Sequence, residues 1–285
     1  MALANEQQLR ADIIEIGKYA WQKGWVAAND GNISVRLDAN RVLCTPTGVS
    51  KGMMSVDDLI ICDLDGNKVE GKRERTSEIM MHLTVYQMRS DIQSVVHFHP
   101  PVSTGFAVAG KALNEAILPE VILTLGCVPL AEYGLPGTPA LSDTLKPYIP
   151  SYDAILMGNH GVVCYSTDLW KAYFRMETVE HTARIALVAE MLGGAKVLPR
   201  QEVAKLFDSR SRYGIVSKSS AKPGCPVAAE DLGNAAVASS SCGCGSCGTS
   251  AMAAAAAAGE EKFEFTRAEL IALVNQALAA RGVLS

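Results

Sequence analysis

The sequence predicts an α/β fold in which a mostly antiparallel central β-sheet is flanked by helices. Short segments typical of strands follow one another with only turns between them, for example around Val35, Leu43 and Ile61. Longer segments with apolar residues three or four positions apart are typical of helices. Hydrophobic residues make up 48% of the 285-residue chain, which is enough for a large core. Neighbouring strands with scattered helices favour an antiparallel sheet over repeated strand–helix–strand units.

The elements are predicted from periodicity and from their ends. The first helix carries an apolar stripe from Leu9 to Ala20 and ends near Gly24. A second helix covers SEIMMHLTVYQMRSD, and a long third helix covers DLWKAYFRMETVEHTARIALVAEMLGG, closed by its two glycines. Strands are predicted, in chain order, in GNISVRLD, RVLCTPTG, DLIICDLDG, IQSVVHFH, CVPLAEYG and DAILMGNHGVVCYS.

Three regions of the chain differ in composition. Residues 1–213 hold these elements and form the predicted domain. Residues 214–260 are rich in Ser, Gly, Ala and Cys, with few large apolar residues, and are predicted to be a flexible linker. Residues 261–285 return to helical periodicity, with Thr266 and Glu269 in the spacing of a capping box. The large apolar side chains of this predicted helix cluster on one face: Leu270, Ile271, Leu273, Val274 and Leu278.

Charge and hydropathy exclude several classes of partner. A net charge of −4 gives no electrostatic reason to expect binding to nucleic acid or to a membrane surface. The N-terminal residues lack the pattern of a signal peptide, and no uncharged apolar run reaches the about 18 residues of a membrane span. We therefore expect a cytoplasmic protein.

Four cysteines lie in the predicted linker, at positions Cys225, Cys242, Cys244 and Cys247. Closely spaced thiols can hold zinc or an iron–sulfur cluster, although the C-x-C-x-x-C spacing of the last three matches no zinc-finger pattern. Incidental thiols and redox cross-links between molecules are the other interpretations. The sequence does not decide among them.

The segment SVVHFHPP, residues 94–101, places two histidines at the end of a predicted strand. Residues two apart in a strand project to the same face, about 7 Å apart at Cα, so His97 and His99 can converge on one point. Phe98 between them is predicted to turn into the core. Two imidazoles directed at one point suit a divalent transition metal, above all zinc.

Further ligands for such a metal must come from elsewhere in the chain. His160 stands between two glycines at a predicted turn, and Glu78 stands at a predicted helix start. A single histidine is more often a packing or surface residue than a ligand. His82 and His181, inside helices with no partner suggested by spacing, are interpreted as structural.

Three segments, DGNIS, TPTG and RTSE, place small polar side chains beside glycine or at a helix start. Backbone amides at such positions can receive a phosphate group, although each segment alone is also an ordinary turn or cap. No phosphate-binding loop of the GxxxxGKS kind is present, so nucleotide hydrolysis is not favoured.

Five short motifs in this order identify a resemblance: GNIS at 31–34, TPTG at 45–48, TSE at 76–78, HFH at 97–99 and NHG at 159–161. Over about residues 7–213, the chain resembles the class II aldolase/epimerase family, and within it most closely the fuculose-phosphate aldolases. The resemblance implies one Zn²⁺ per subunit, held by Glu78, His97, His99 and His160. It also implies a ring-shaped homotetramer with sites at the subunit interfaces. The implied phosphate-binding residues are Gly31, Asn32, Thr47, Gly48, Thr76 and Ser77.

The activity implied by the resemblance is cleavage of a deoxyketose 1-phosphate to dihydroxyacetone phosphate and L-lactaldehyde. The expected substrate is L-fuculose 1-phosphate or L-rhamnulose 1-phosphate, with Glu78 as general base at the hydroxymethyl carbon. The chain departs from the family where these aldolases carry a tyrosine proton donor, because that segment reads NEAILPEVILTL. Tyr133, Glu120 and Glu115 are the candidates for this role.

Other activities remain open at the level of sequence. Ribulose-5-phosphate 4-epimerase-type and methylthioribulose-1-phosphate dehydratase activities are the alternatives within the family. The epimerases usually carry aspartate at the position of Glu78, which favours an aldolase. A non-enzymatic assembly module is the alternative of another class, and retention of Glu78 and the three histidines argues against it.

The C-terminal segment resembles the encapsulation peptides of enzymes packed inside bacterial microcompartments. On this interpretation the helix of residues 261–285 docks on a shell protein or on neighbouring cargo, and the enzyme works in the compartment lumen. The alternative is a helix that folds back on its own tetramer.

Overall fold

The computed structural model describes residues 6–213 of the chain. The predicted linker, the predicted C-terminal helix and the four linker cysteines lie outside the described residues. The helices are α1 (Glu6–Gln22), α2 (Ile79–Met88), α3 (Pro101–Val108), α4 (Pro119–Thr124), α5 (Pro139–Leu145), α6 (Leu169–Met191) and α7 (Arg200–Ser209), with short 3₁₀ helices at Val56–Asp58 and Arg210–Tyr213. The strands are β1 (Asn32–Arg36), β2 (Val42–Cys44), β3 (Ile60–Cys62), β4 (Lys68–Glu70), β5 (Ser94–Phe98), β6 (Leu130–Ala131), β7 (Ala154–Met157) and β8 (Gly161–Ser166).

The eight strands form one sheet in the order β4-β3-β2-β1-β5-β8-β7-β6. Every neighbouring pair is antiparallel except β6 and β7, which are parallel. The prediction of a mostly antiparallel sheet flanked by helices is confirmed. Strand β5 lies between β1 and β8, and its His97 stands opposite Asn32 on β1 and Val163 on β8.

Alternation along the central strands sends side chains to two cores, one on each face of the sheet. Ile33 of β1 and Phe98 of β5 join one core together with residues of α1 and α6. Val95 of β5 and Tyr165 of β8 join the other, together with residues of α2 and α5. Since both faces are covered, side chains on the central strands are removed from water on either side.

Three short helices begin with proline at their first position: Pro101, Pro119 and Pro139. Proline is favoured there because its fixed φ suits the helix and its missing N–H would have no partner in any case. Among the described residues, no helix has both the length and the apolar character that crossing a membrane requires.

Candidate metal centre

Strand β5 positions the histidine pair as its alternation predicts. Phe98 is fully buried in one core, and His97 is fully buried on the opposite side. His99 follows the last strand residue, and its backbone N–H donates to the carbonyl of Trp25 at 2.9 Å. The Nε2 atoms of His97 and His99 are 3.1 Å apart. The two imidazoles therefore converge on one point.

His160 joins this pair from the turn between β7 and β8. Asn159 before it takes a left-handed conformation, with φ of 53°, which asparagine tolerates better than most residues. The ring of His160 lies 4.7 Å from that of His97 and 5.2 Å from that of His99, measured between centroids. The ligand atoms of the three histidines lie within 4.8 Å of one another.

Glycine is required immediately after His160. A Cβ on Gly161 would lie 2.5 Å from Cδ2 of His99 and 2.7 Å from the carbonyl oxygen of Phe98. Both distances are shorter than any real contact of a Cβ atom. The absence of a side chain at this position lets β8 carry His160 up against the histidine pair.

Glu78 completes the cluster from the start of α2, where it is the N-cap residue. Its Oε1 lies 3.2 Å from Nε2 of His160, and its Oε2 lies 3.5 Å from Nε2 of His97. The side-chain amide of Asn32 donates to Oε2 at 2.7 Å. The carboxylate is largely buried, so it and the three imidazoles share one desolvated space.

The donor set fits a divalent metal ion. His97 donates from Nδ1 to the carbonyl of Val162 at 2.9 Å, which leaves its Nε2 with a lone pair directed at the cluster. Burial, with the neighbouring His99 and His160, holds the pKa of His97 well below its usual range. Burial also lowers the pKa of His160, although Glu78 opposes this shift. Oε1 of Glu78 is buried without a hydrogen-bond partner. Neutral imidazoles and an unsatisfied carboxylate oxygen are ligands that zinc prefers.

The glycine- and hydroxyl-rich segments lie beside this cluster. A cleft of about 250 Å³ is lined by Glu78, His99 and His160 at one end. Gly31, Asn32, Thr47, Thr76 and Ser77 also line it. Gly48 is not among the lining residues but directly follows Thr47.

Backbone hydrogen bonds hold two of these segments together. The N–H of Thr76 donates to the carbonyl of Thr45 at 3.1 Å, and that of Thr47 donates to the carbonyl of Glu74 at 3.0 Å. Gly31 takes a φ of 72°, and a Cβ there would lie 2.7 Å from Cγ1 of Val26. These segments are therefore fixed relative to the strands that carry the histidines.

Sequence reasoning missed Asn29, Pro136 and Gly137, which line the cleft, and gave no role to Asp30 and Pro46, which lie within the DGNIS and TPTG segments. Asp30 had a local signal, because it precedes the GNIS motif, and its Oδ2 lies 3.5 Å from Nδ1 of His99. Nothing in the sequence connects Pro136 and Gly137 with the histidines. Only the folded chain brings their loop to the cleft.

The three candidate proton donors lie elsewhere on the described part of the chain. Tyr133 is 55% exposed. Neither it nor Glu115 nor Glu120 lines the cleft, and the two glutamates border other depressions on the surface. His181 is exposed on α6 and is not part of the histidine cluster.

The fold and this cluster define an α/β protein with a three-histidine, one-carboxylate site at one end of a polar cleft. A family model described as Class II Aldolase and Adducin N-terminal domain matches residues 11–187, and the chain belongs to this family. An L-fuculose phosphate aldolase of Methanococcus maripaludis is 33% identical over 181 residues, which cover 64% of this chain and 97% of that protein.

Two further similarities are informative. A 3-oxo-tetronate 4-phosphate decarboxylase of Haemophilus influenzae is 33% identical over 177 residues, which cover 61% of this chain and 84% of that protein. The solved structure of an L-fuculose 1-phosphate aldolase superposes with a TM-score of 0.68 at 28% identity, covering 75% of this chain and all of that one. The resemblance deduced from the five motifs is thereby confirmed at the level of family and fold.

Proposed function

We propose that this chain is a metal-dependent aldolase that cleaves a deoxyketose 1-phosphate, L-fuculose 1-phosphate or L-rhamnulose 1-phosphate, to dihydroxyacetone phosphate and L-lactaldehyde. The observation that carries the proposal is the convergence of His97, His99, His160 and Glu78 at one end of the cleft. The other walls of that cleft carry the small polar residues that suit a phosphate group.

The four converging side chains would hold Zn²⁺, one per subunit. When bound, the ion supplies Lewis acidity, which stabilises the negative charge that develops on the substrate oxygens during C–C bond cleavage. The neutral state of the buried imidazoles keeps their nitrogen lone pairs available for this role.

The chain's own residues would anchor the substrate and move a proton. Backbone amides and hydroxyls of Thr47, Gly48, Thr76 and Ser77 would hold the phosphate together with Gly31, so that the reacting carbons stay in place. On cleavage, the electron pair of the broken bond remains on the carbon that becomes the hydroxymethyl carbon of dihydroxyacetone phosphate. Glu78 would deliver a proton there, and would remove it in the reverse direction.

A second group must take the proton of the hydroxyl that becomes the aldehyde. Tyr133, Glu120 and Glu115 remain the candidates. Since none of them lines the cleft of its own chain, a neighbouring copy in a homotetramer is the source that we propose. A site shared between subunits would complete the cleft in this way.

Decarboxylation of a 3-oxo acid phosphate is the second candidate, favoured by the similarity to the Haemophilus influenzae decarboxylase. Loss of carbon dioxide beside a carbonyl group develops the same kind of charge on the remaining fragment. One site of this design therefore suits either reaction.

The experiment is a coupled assay for dihydroxyacetone phosphate release from L-fuculose 1-phosphate and from L-rhamnulose 1-phosphate, with and without a chelator. We expect release from at least one sugar, abolished by the chelator and restored by Zn²⁺. His97→Ala is expected to lower kcat/KM by about 100-fold or more and to reduce the bound metal per chain. Metal at full stoichiometry without release would contradict the aldolase and favour the decarboxylase, epimerase or dehydratase reaction. Neither metal nor turnover would favour an assembly module.

We further propose that the C-terminal segment, outside the described residues, directs this cytoplasmic enzyme into a bacterial microcompartment. L-Lactaldehyde is a reactive product, which gives a chemical reason to confine it. The apolar face around Leu270 and Val274 would dock on a shell or cargo protein.

A further inference from the structure

A continuous chain of buried hydrogen bonds leads from the core to Glu78. The hydroxyl of Tyr86 lies 2.8 Å from Oγ of Ser34, which lies 2.7 Å from Nδ1 of His82. Nε2 of His82 lies 2.5 Å from Oδ1 of Asn32, whose Nδ2 donates to Oε2 of Glu78 at 2.7 Å. Ser34 and His82 are fully buried, and the remaining three are at most 9% exposed.

Strand β1 and helix α2 supply the side chains of this hydrogen-bond series. Asn32 and Ser34 are two residues apart on β1 and therefore share one face of the sheet. Glu78 and His82 are four residues apart at the start of α2 and share one face of the helix. The packing of α2 on the sheet interleaves the two pairs, so their alternating contacts follow directly from the fold.

Only one assignment of donors and acceptors satisfies every hydrogen bond in this series. The carboxylate of Glu78 accepts, so Asn32 presents its amide group to Glu78 and its carbonyl oxygen to His82. Nε2 of His82 must then carry the proton, and Nδ1 must accept from the hydroxyl of Ser34. With its own proton committed, Ser34 accepts from Tyr86. Burial lowers the pKa of His82 to about 3, which agrees with a neutral ring carrying this single proton.

We infer that His82 is a positioning residue, which acts through Asn32 to fix the orientation of the Glu78 carboxylate. The inference deepens the proposed function and rests on it for the role of Glu78. Asn32 anchors Oε2, whereas Oε1 is buried without a hydrogen-bond partner and faces His160. The two oxygens are thereby made unequal: one is held, and the other is left for metal binding and proton transfer. The side chain of Asn32 is assigned to Glu78 rather than to phosphate.

A purely structural role would not require this arrangement. A buried imidazole loses its hydration, so an apolar side chain would pack here at lower cost unless both ring nitrogens were satisfied. His82 makes both hydrogen bonds, and they link it to the cluster in one defined tautomer. Hydrogen-bonded partners of metal ligands typically change metal affinity or activity about 10- to 100-fold when they are removed.

The test compares His82→Gln with His82→Asn. The Gln side-chain amide reaches the position of Nε2 and can donate to Asn32, whereas the shorter Asn reaches only the position of Nδ1. We expect His82→Asn to lower kcat about 10- to 100-fold with KM changed less than about threefold, because the phosphate segments are untouched. His82→Gln should recover most of the lost turnover. His181→Asn, at the exposed histidine of α6, is the matched control.

Two readouts do not depend on turnover. Nitrogen-15 NMR of the metal-free wild type should show the proton of His82 on Nε2. The visible spectrum of the Co²⁺-loaded protein should change in His82→Asn and stay close to wild type in His82→Gln. These readouts test the inference even if the wild type cleaves neither sugar phosphate, which would count against the proposed function alone.

Three outcomes would overturn the inference. They are a proton on Nδ1 of His82, equal kcat losses in the Gln and Asn variants, and a cobalt spectrum that responds to neither. If the Asn variant fails to fold, Tyr86→Phe removes only the last hydroxyl of the chain. In this variant Asn32 and Ser34 still fix the tautomer, so the proton of His82 should stay on Nε2, and a proton on Nδ1 would contradict the inference.

Discussion

Lys51 is a buried cation behind the cleft. Only 1% of it is exposed, and its Nζ donates to the carbonyl of Asn29 at 3.1 Å and to that of Val49 at 2.9 Å. It therefore ties the segment before Asp30 to the segment after Gly48. Burial lowers the pKa of Lys51 to about 8, against the opposing influence of Asp30 and Glu78.

This pKa has a consequence for stability that Lys51→Met tests. Between pH 8 and the ordinary lysine value of about 10.5, the unfolded chain binds more protons at this position than the native chain does. The contribution of Lys51 to the free energy of unfolding therefore rises with pH across this window. Urea denaturation at a series of pH values should show wild type gaining stability relative to Lys51→Met between pH 8 and 10. Parallel curves would contradict the assignment.

At the residue scale, the sequence predicted which side chains meet but not how they are held. The sequence predicted that His97 and His99 share one face of β5 and that His160 stands at a turn between glycines. The structure brings these three histidines together with Glu78. Their role as metal ligands stays a prediction. His82 was interpreted as structural because its partner Asn32 is 50 residues away and no local spacing reveals the contact.

At the element scale, the turn between β7 and β8 decides whether three histidines can converge. Gly161 opens β8 directly after His160, in contact with both His99 and the backbone of β5. Any side chain there must push the two strands or the imidazole apart. The pairing of β5 with β8 and the geometry of the cluster therefore depend on the same residue.

Comparison of Gly161→Ala with a glycine-to-alanine change elsewhere should separate the effect on the histidine cluster from the general effect of replacing a glycine. We expect a loss of about 1–3 kcal/mol of stability from overpacking, together with a loss of bound metal. Gly105→Ala on α3 is the control, because a Cβ at that position would have no atom within 4 Å and alanine favours a helix by up to about 1 kcal/mol. Thermal melts and metal content per chain measure both variants. Full metal occupancy in Gly161→Ala would contradict the steric argument.

Sequence reasoning missed α3, α4, α5, α7 and β4, and the weak apolar pattern explains all of these except the ten-residue α7. α3, α4 and α5 have only 6 to 8 residues, too few for a helical period to show in the apolar pattern. β4 is exposed at every position, so it carries no hydrophobic signal. β6 and β7 are parallel because the chain returns through α5 between the two strands. Strands buried on both faces were the most predictable elements.

At the scale of the whole molecule, the family match covers residues 11–187, whereas the chain continues to residue 285. The residues of the cleft lie between Asn29 and His160, within the matched region. Catalysis and targeting are thus proposed for separate parts of the chain. This separation makes the two roles testable one at a time.

Deletion of residues 259–285 should leave kcat and KM for the sugar phosphate unchanged and abolish co-purification with microcompartment shells. Leu270→Glu combined with Val274→Glu keeps the length of the chain and places charge on the proposed docking face, so it should have the same effect. Shell association that survives both changes would rule out targeting by this helix. A changed oligomeric state would instead support packing of the helix on its own tetramer.

The two sides of the cleft are built on different kinds of secondary structure. The metal end is built on β1, β5 and β8 in the middle of the sheet, whereas Pro136 and Gly137 reach it on a loop that follows the two-residue edge strand β6. A Cβ on Gly137 would lie 3.7 Å from the carbonyl oxygen of Ser77. Residues 132–138 pair with no strand, so exchanges at Pro136 and Gly137 should leave the strand register unchanged. We therefore expect exchanges in this loop to change which substrate fits the cleft while the converging histidines keep their positions.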